Sequence, residues 1–117
     1  MAEVRIDGAE ITSWDAFHNV SAVAFGFPDF YGRNMNAWID CLTHLNEGDG
    51  MSRFKLEPDE VLTIRVVNVG RWRQQAPGIL DEFVDCTAFV NQRYVATGQA
   101  PPVQLILCSD TAQPPVA

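Results

Sequence analysis

The sequence is short of most of what catalysis requires. It has only two histidines, His18 and His44, and three cysteines, Cys41, Cys86 and Cys108. Neither histidine lies in a motif that sets it beside a cysteine or an acid, so a thiol or serine hydrolase has no local signature. The three cysteines and two histidines also lack the pairwise spacing of metal ligands. The glycines at 26, 32, 48, 50, 70 and 78 follow neither G-x-G-x-x-G nor G-x-x-x-x-G-K-S/T, which removes the phosphate-cradling loops. The close acidic groups Glu47-Gly48-Asp49, Asp59-Glu60 and Asp81-Glu82 read as solvated charges or helix-dipole partners. No cofactor and no metal are expected. The odd, widely spaced cysteines read as small reduced core residues rather than a disulfide framework.

Positive charge is equally scarce. Eight Lys and Arg against 15 Asp and Glu leave a formal net charge of -7, which argues against nucleic acid as a partner because phosphate contacts need clustered cations. An acidic surface suits a basic protein partner instead. No segment approaches the roughly 20 apolar residues of a membrane span, and no basic start precedes a long apolar run. The expectation is a cytoplasmic protein that is a monomer when free.

What the 117 residues do contain, 47% of them hydrophobic, is enough for one domain with its own core. Val4 to Asp7 alternates and stops at Gly8, as a short strand would. Ser13 suits an N-cap for a helix over about 13 to 24, with Trp14, Phe17, Val20, Ser21 and Ala24 at helical spacing and Gly26 and Pro28 beyond its end. Residues 46 to 60 read as a surface loop with one irregular turn around Met51 to Leu56. Val61 to Val67 is a nearly continuous apolar run, expected to be a strand covered on at least one face and, from its continuity, on both. Pro77 suits a first helical turn, and Ile79, Leu80, Phe83, Val84, Thr87, Val90, Tyr94 and Val95 keep helical spacing up to Gly98, with a break near Ala76 to Gly78. Arg71-Trp72-Arg73 offers either an added contact or a tryptophan packed on the core, and packing is the favoured reading. Val103 to Cys108 reads as a last strand, and residues 111–117 as a flexible tail following a domain over 1–110. Strands separated by helices predict an α/β fold in the order β-α-α-β-α-β, with a three-stranded parallel sheet packed against three to four helices.

The stretch from Phe27 to Leu45 is the most informative. Asn34 can cap a helix on which Met35, Trp38, Cys41, Leu42 and Leu45 share one side. Asn36, Asp40 and Thr43 face the other way, with Ile39 on the flank. Taken alone, Asp40 is an ordinary solvent-facing aspartate. It could also be a carboxylate offered to a basic pocket, with short polar neighbours one turn away on either side.

The run Phe27-Pro28-Asp29-Phe30-Tyr31-Gly32-Arg33-Asn34-Met35-Asn36-Ala37-Trp38-Ile39-Asp40-Cys41-Leu42-Thr43 closely resembles the signature of the barstar family, intracellular inhibitors of bacterial ribonucleases. The resemblance is dense over these residues and rests elsewhere on the order of elements. It implies that the second helix and the loop before it plug a nuclease active site, with Asp40 in the place of a substrate phosphate. The implied partner-binding set is Phe30, Tyr31, Gly32, Asn34, Asn36, Ile39, Asp40, Thr43 and His44. The implied partner is a basic extracellular-type ribonuclease or toxin nuclease domain. Several positions depart from the family's founding inhibitor. Phe30 replaces a tyrosine, Asn36 an acidic residue, Ile39 an aromatic one and His44-Leu45 a Gly-Trp pair, while Arg93 stands where an acidic contact is expected. These departures leave room for another nuclease or for an unrelated protein partner of the same fold.

Overall fold

The structure, a computed structural model, describes residues 2–109; the tail expected at 111–117 lies outside them. The elements run β1 (Ala2–Asp7), a 3-10 turn (Gly8–Glu10), α1 (Trp14–Phe25), α2 (Met35–Thr43), β2 (Leu62–Val67), α3 (Val69–Gln75), α4 (Pro77–Ala96) and β3 (Val103–Leu107). The three strands form one parallel sheet in the order β1-β2-β3. This is the α/β arrangement expected from the sequence, with four α-helices.

One expectation about the sheet is corrected. Both crossovers, β1 to β2 and β2 to β3, step in the same direction across the sheet, so right-handed connections bring all helices to one face. Only that face is covered. In β2, Leu62, Ile64 and Val66 are fully buried while Thr63 and Arg65 between them are not. The open face carries polar ladders instead: Arg65 Nε donates to Glu3 Oε2 at 3.0 Å, and Thr63 lies in register with Gln104.

Helix ends follow from named residues. The Ser13 hydroxyl accepts from Ala16 N–H at 3.1 Å, and Gly26 ends α1 at φ 67°. Gly98, at φ 82°, closes α4 while its N–H donates to Val95 C=O and that of Gln99 to Tyr94 C=O, the paired bonds of a Schellman motif. The break between α3 and α4 falls at Ala76, directly before Pro77. Val84 and Val95, assigned to the inward stripe of α4, are instead partly exposed, as is Trp14 on α1. The buried stripes are narrower than the apolar patterns because each helix meets the sheet over one face only.

Under the helices lies an aromatic core. Phe17, Trp38, Trp72 and Phe83 are all fully buried, and their rings meet at centroid distances of 5.1 to 6.2 Å. Trp72 therefore packs on the core, as favoured, while Arg71 and Arg73 stay exposed. The 46–60 loop does more than connect. Arg53 N–H donates to Phe25 C=O and its Nε to Ala24 C=O, at 2.9 and 3.0 Å, satisfying free carbonyls at the end of α1. Leu56 N–H donates to Leu45 C=O at 2.7 Å, and its side chain is buried.

Candidate functional site

The turn over Pro28–Arg33 and the helix α2 form one surface unit. The Asn34 side chain accepts from Ala37 N–H at 2.8 Å, setting the start of α2. Trp38, Cys41 and Leu42 then fall on the core side, with Leu45 buried just beyond the helix. Met35, Ala37 and Ile39 pack half-buried against the core, and the 100° step between residues turns Asn36 and Asp40 outward.

Arg33 ties this unit to α1. It adopts φ 55°, which an L-residue other than Asn or Asp seldom does. Its guanidinium donates to Asn19 Oδ1 at 3.0 Å, to Asp15 C=O at 3.3 Å and to the Asp15 carboxylate. These bonds hold the turn in its unusual backbone shape.

The sequence-assigned residues divide into three groups. Phe30 is 75% exposed, and Gly32, Asn34, Asn36 and Asp40 are exposed around it. Ile39, Thr43 and His44 are half-buried along the edge. Thr43 Oγ1 donates to Ile39 C=O at 2.7 Å, leaving its oxygen lone pairs and methyl for other contacts. Tyr31, part of the implied partner-binding set, is buried, and its hydroxyl lies 2.6 Å from His18 Nδ1. The turn folds its ring inward between Phe27 and His18, so Tyr31 supports the surface from below.

That buried pair has an electrostatic consequence. Burial, then the nearby Arg33 cation, lowers the His18 pKa below its ordinary value. Burial also raises that of the Tyr31 phenol. A neutral imidazole accepting from the phenol O–H fits both directions. Because folding lowers the affinity of His18 for a proton, its contribution to stability is present above the unfolded value of about 6.5 and is lost as pH falls through the lower folded value. Urea midpoints should therefore fall as the pH drops below about 6.5, and His18→Gln should remove that part of the pH dependence while leaving the carboxylate-driven loss at lower pH.

Two features of the face were not legible as a group in the sequence. Arg93 reaches across from α4, placing Nη1 3.8 Å from Asp40 Oδ1, with 62% of the Asp40 side chain still exposed. The Arg93 guanidinium lies over the Phe89 ring at 5.0 Å, and Phe89 is itself 48% exposed. Asp40 thus stands beside a cation and an apolar ring belonging to its own chain. Tyr94 holds the end of α2: its hydroxyl donates to Thr43 C=O at 2.7 Å and accepts from Leu45 N–H at 3.1 Å. The contact between α2 and α4 joins residues 49 to 51 positions apart, a relation that periodicity along one helix does not reveal.

The three cysteines are free thiols, and burial with nearby Asp40 pushes that of Cys41 up to about 11. A thiol so shifted is a poor nucleophile. No described helix is long and apolar enough to cross a membrane.

Fold and surface together define a small α/β domain whose distinguishing feature is an outward helical face centred on one aspartate. The family model described as Barstar (barnase inhibitor) matches residues 1–107, so this chain belongs to the barstar family. Among curated proteins, the chain is similar to "Putative ribonuclease inhibitor YrdF" of Bacillus subtilis (strain 168), at 40% identity over 43 residues. That match spans 37% of this chain and 47%, about half, of the relative.

Proposed function

We propose that this protein is an intracellular inhibitor, or immunity protein, of a bacterial ribonuclease, blocking the nuclease active site with α2 and the turn before it. The observation that carries the reading is the position of Asp40: an exposed carboxylate at the middle of a rigidly capped helix, between Asn36 and Thr43, in a family described by its inhibition of a nuclease. The similarity to a Bacillus protein named as a ribonuclease inhibitor supports it.

In this reading Asp40 occupies the place of a substrate phosphate among the Arg, Lys and His side chains of the active site. Phe30 stacks or packs at the rim, while Ile39, Thr43 and His44 fill the flank. Preorganisation matters, because a helix fixed from beneath by Trp38 and at its end by Tyr94 loses little freedom on binding. The net charge of -7 speeds encounter with a basic enzyme, an effect that salt screens.

Arg93 adds a condition on the partner. Its weak pairing with Asp40 is exposed and worth at most about 1 kcal/mol, so a desolvated cluster of partner cations can displace it. Once displaced, Arg93 calls for an acceptor on the nuclease rim. The same pair favours a second reading, in which the fold serves a protein partner that is not a nuclease.

Titration of basic secreted bacterial ribonucleases and toxin nuclease domains, starting with any encoded beside this gene, separates the two. Stoichiometric loss of RNA cleavage is the expected result. Binding to none of these nucleases, together with a different cellular partner whose binding ignores Asp40→Ala, would favour the second reading.

A further inference from the structure

The chain leaves α2 through His44, and the next five residues fold back below the helix end. Three side chains converge there. His44 Nδ1 lies 3.0 Å from Asp49 Oδ2 and 3.4 Å from Glu47 Oε1, and one ligand atom from each residue falls within 4.8 Å of the others. Glu47 and Asp49 are expected from the sequence to be solvated charges or helix-dipole partners, and a simple ion pair would extend that expectation.

Geometry argues against a simple pair. His44 Nδ1 is shielded from solvent, yet it has no partner in hydrogen-bonding geometry even with two carboxylate oxygens beside it. A hydrogen bond would place an oxygen near the N–H axis. A shared dication instead holds each oxygen off that axis: with bonds near 2.0–2.1 Å, a tetrahedral ion separates its ligand atoms by roughly 3.3 Å. The two separations from His44 bracket that value, and the Glu47 and Asp49 oxygens lie within 4.8 Å of each other. Asp49 is also oriented for the task, because its other oxygen, Oδ1, accepts from Met51 N–H at 3.3 Å and leaves Oδ2 turned toward His44. The C-terminal carbonyls of α2 add a partial negative charge beside the cluster.

We propose that His44, Glu47 and Asp49 bind a transition-metal dication of the zinc class, with a fourth position open to water or to a ligand atom from another molecule. One imidazole nitrogen and two carboxylate oxygens suit such an ion. Calcium, which takes six to eight oxygens, and magnesium, which keeps an octahedral shell, fit less well. The site shares His44 with the proposed nuclease-binding flank, but its argument does not rest on that reading and it is tested without a nuclease.

The test is calorimetric titration of the chelator-stripped full chain with zinc chloride, with magnesium and calcium chlorides in parallel. One saturable zinc site is expected, with at least about tenfold weaker binding in both His44→Gln and Asp49→Asn. Asp59→Asn and the double variant Cys86→Ser/Cys108→Ser should bind zinc as the parent does. In long-range proton–nitrogen spectra, zinc should shift Nδ1 of His44 and leave His18 unchanged. The proposal is overturned by no saturable heat up to about 1 mM zinc, by binding that survives both ligand substitutions, or by binding that disappears in the cysteine double variant.

Discussion

Asp40→Ala is expected to weaken binding to the target nuclease by more than about a hundredfold, whereas Asp59→Ala on the 46–60 loop should change it little. The difference follows from what each removal leaves behind. If α2 fills the active site, the nuclease cations that met Asp40 remain buried without a counter-charge, and breaking a buried pair in this way costs about 3 to 5 kcal/mol. Asp59 lies in an exposed turn, where truncation exposes no charge on the partner. Binding isotherms for both variants at matched salt check the contrast. Similar losses from the two substitutions would mean that bulk acidity, rather than a placed carboxylate, drives association.

The second large effect concerns stability. Trp38→Ala should cost about 3 to 5 kcal/mol, a large part of the 5–15 kcal/mol that holds an ordinary domain together. Trp38 has no exposed surface, and its ring lies 5.8 Å from Phe83, 6.1 Å from Phe25 and 6.2 Å from Phe17. Its indole N–H donates to Ser21 Oγ at 3.3 Å. Truncation therefore opens a cavity between α1, α2 and α4 and leaves a buried serine without that donor. Urea denaturation measures the loss, and the thermal midpoint should drop by at least about 10 °C. A cost below about 1 kcal/mol would show that α2 is held by something other than this aromatic cluster.

The two residues are two positions apart on one nine-residue helix, and their placement on opposed faces was readable from the sequence. A 100° step places Trp38 and Asp40 on opposed sides, and Asn34 fixes where counting starts. The caps at Ser13 and Asn34, the break before Pro77 and the glycine at 98 were legible for the same reason, because each rests on local chemistry. What periodicity could not supply were relations across the fold. Tyr31 lies in a turn without a repeat, so nothing in its neighbours showed that its hydroxyl would meet His18, thirteen residues earlier. Arg53 lies in the stretch that reads as a surface loop, but its carbonyl partners belong to the end of α1. The continuous apolar run of β2 suggested cover on both faces, although Thr63 and Arg65 already marked the open one. Arg93 was noticed as a departure in charge, and its approach to Asp40 depends on how α2 and α4 pack.

That approach defines how this member of the family differs at its proposed working surface. Asp40 is accompanied by a cation and a half-exposed phenylalanine from α4. Under the proposed function, the partner would offer cations strong enough to take the carboxylate, apolar contact for Phe89 and an acceptor for Arg93. A nuclease whose rim carries an acidic side chain beside its phosphate site would meet all three demands.

The central claim is that Asp40 takes the place of a substrate phosphate. Its most direct test is competition: binding of the protein to a ribonuclease it inhibits, measured against increasing concentrations of a nucleoside monophosphate that occupies the enzyme's active site. Mutually exclusive binding is expected, with apparent affinity falling in proportion to nucleotide occupancy and the competition weakened in Asp40→Ala. A ternary complex, in which nucleotide and protein bind the nuclease together with undiminished affinity, would contradict it.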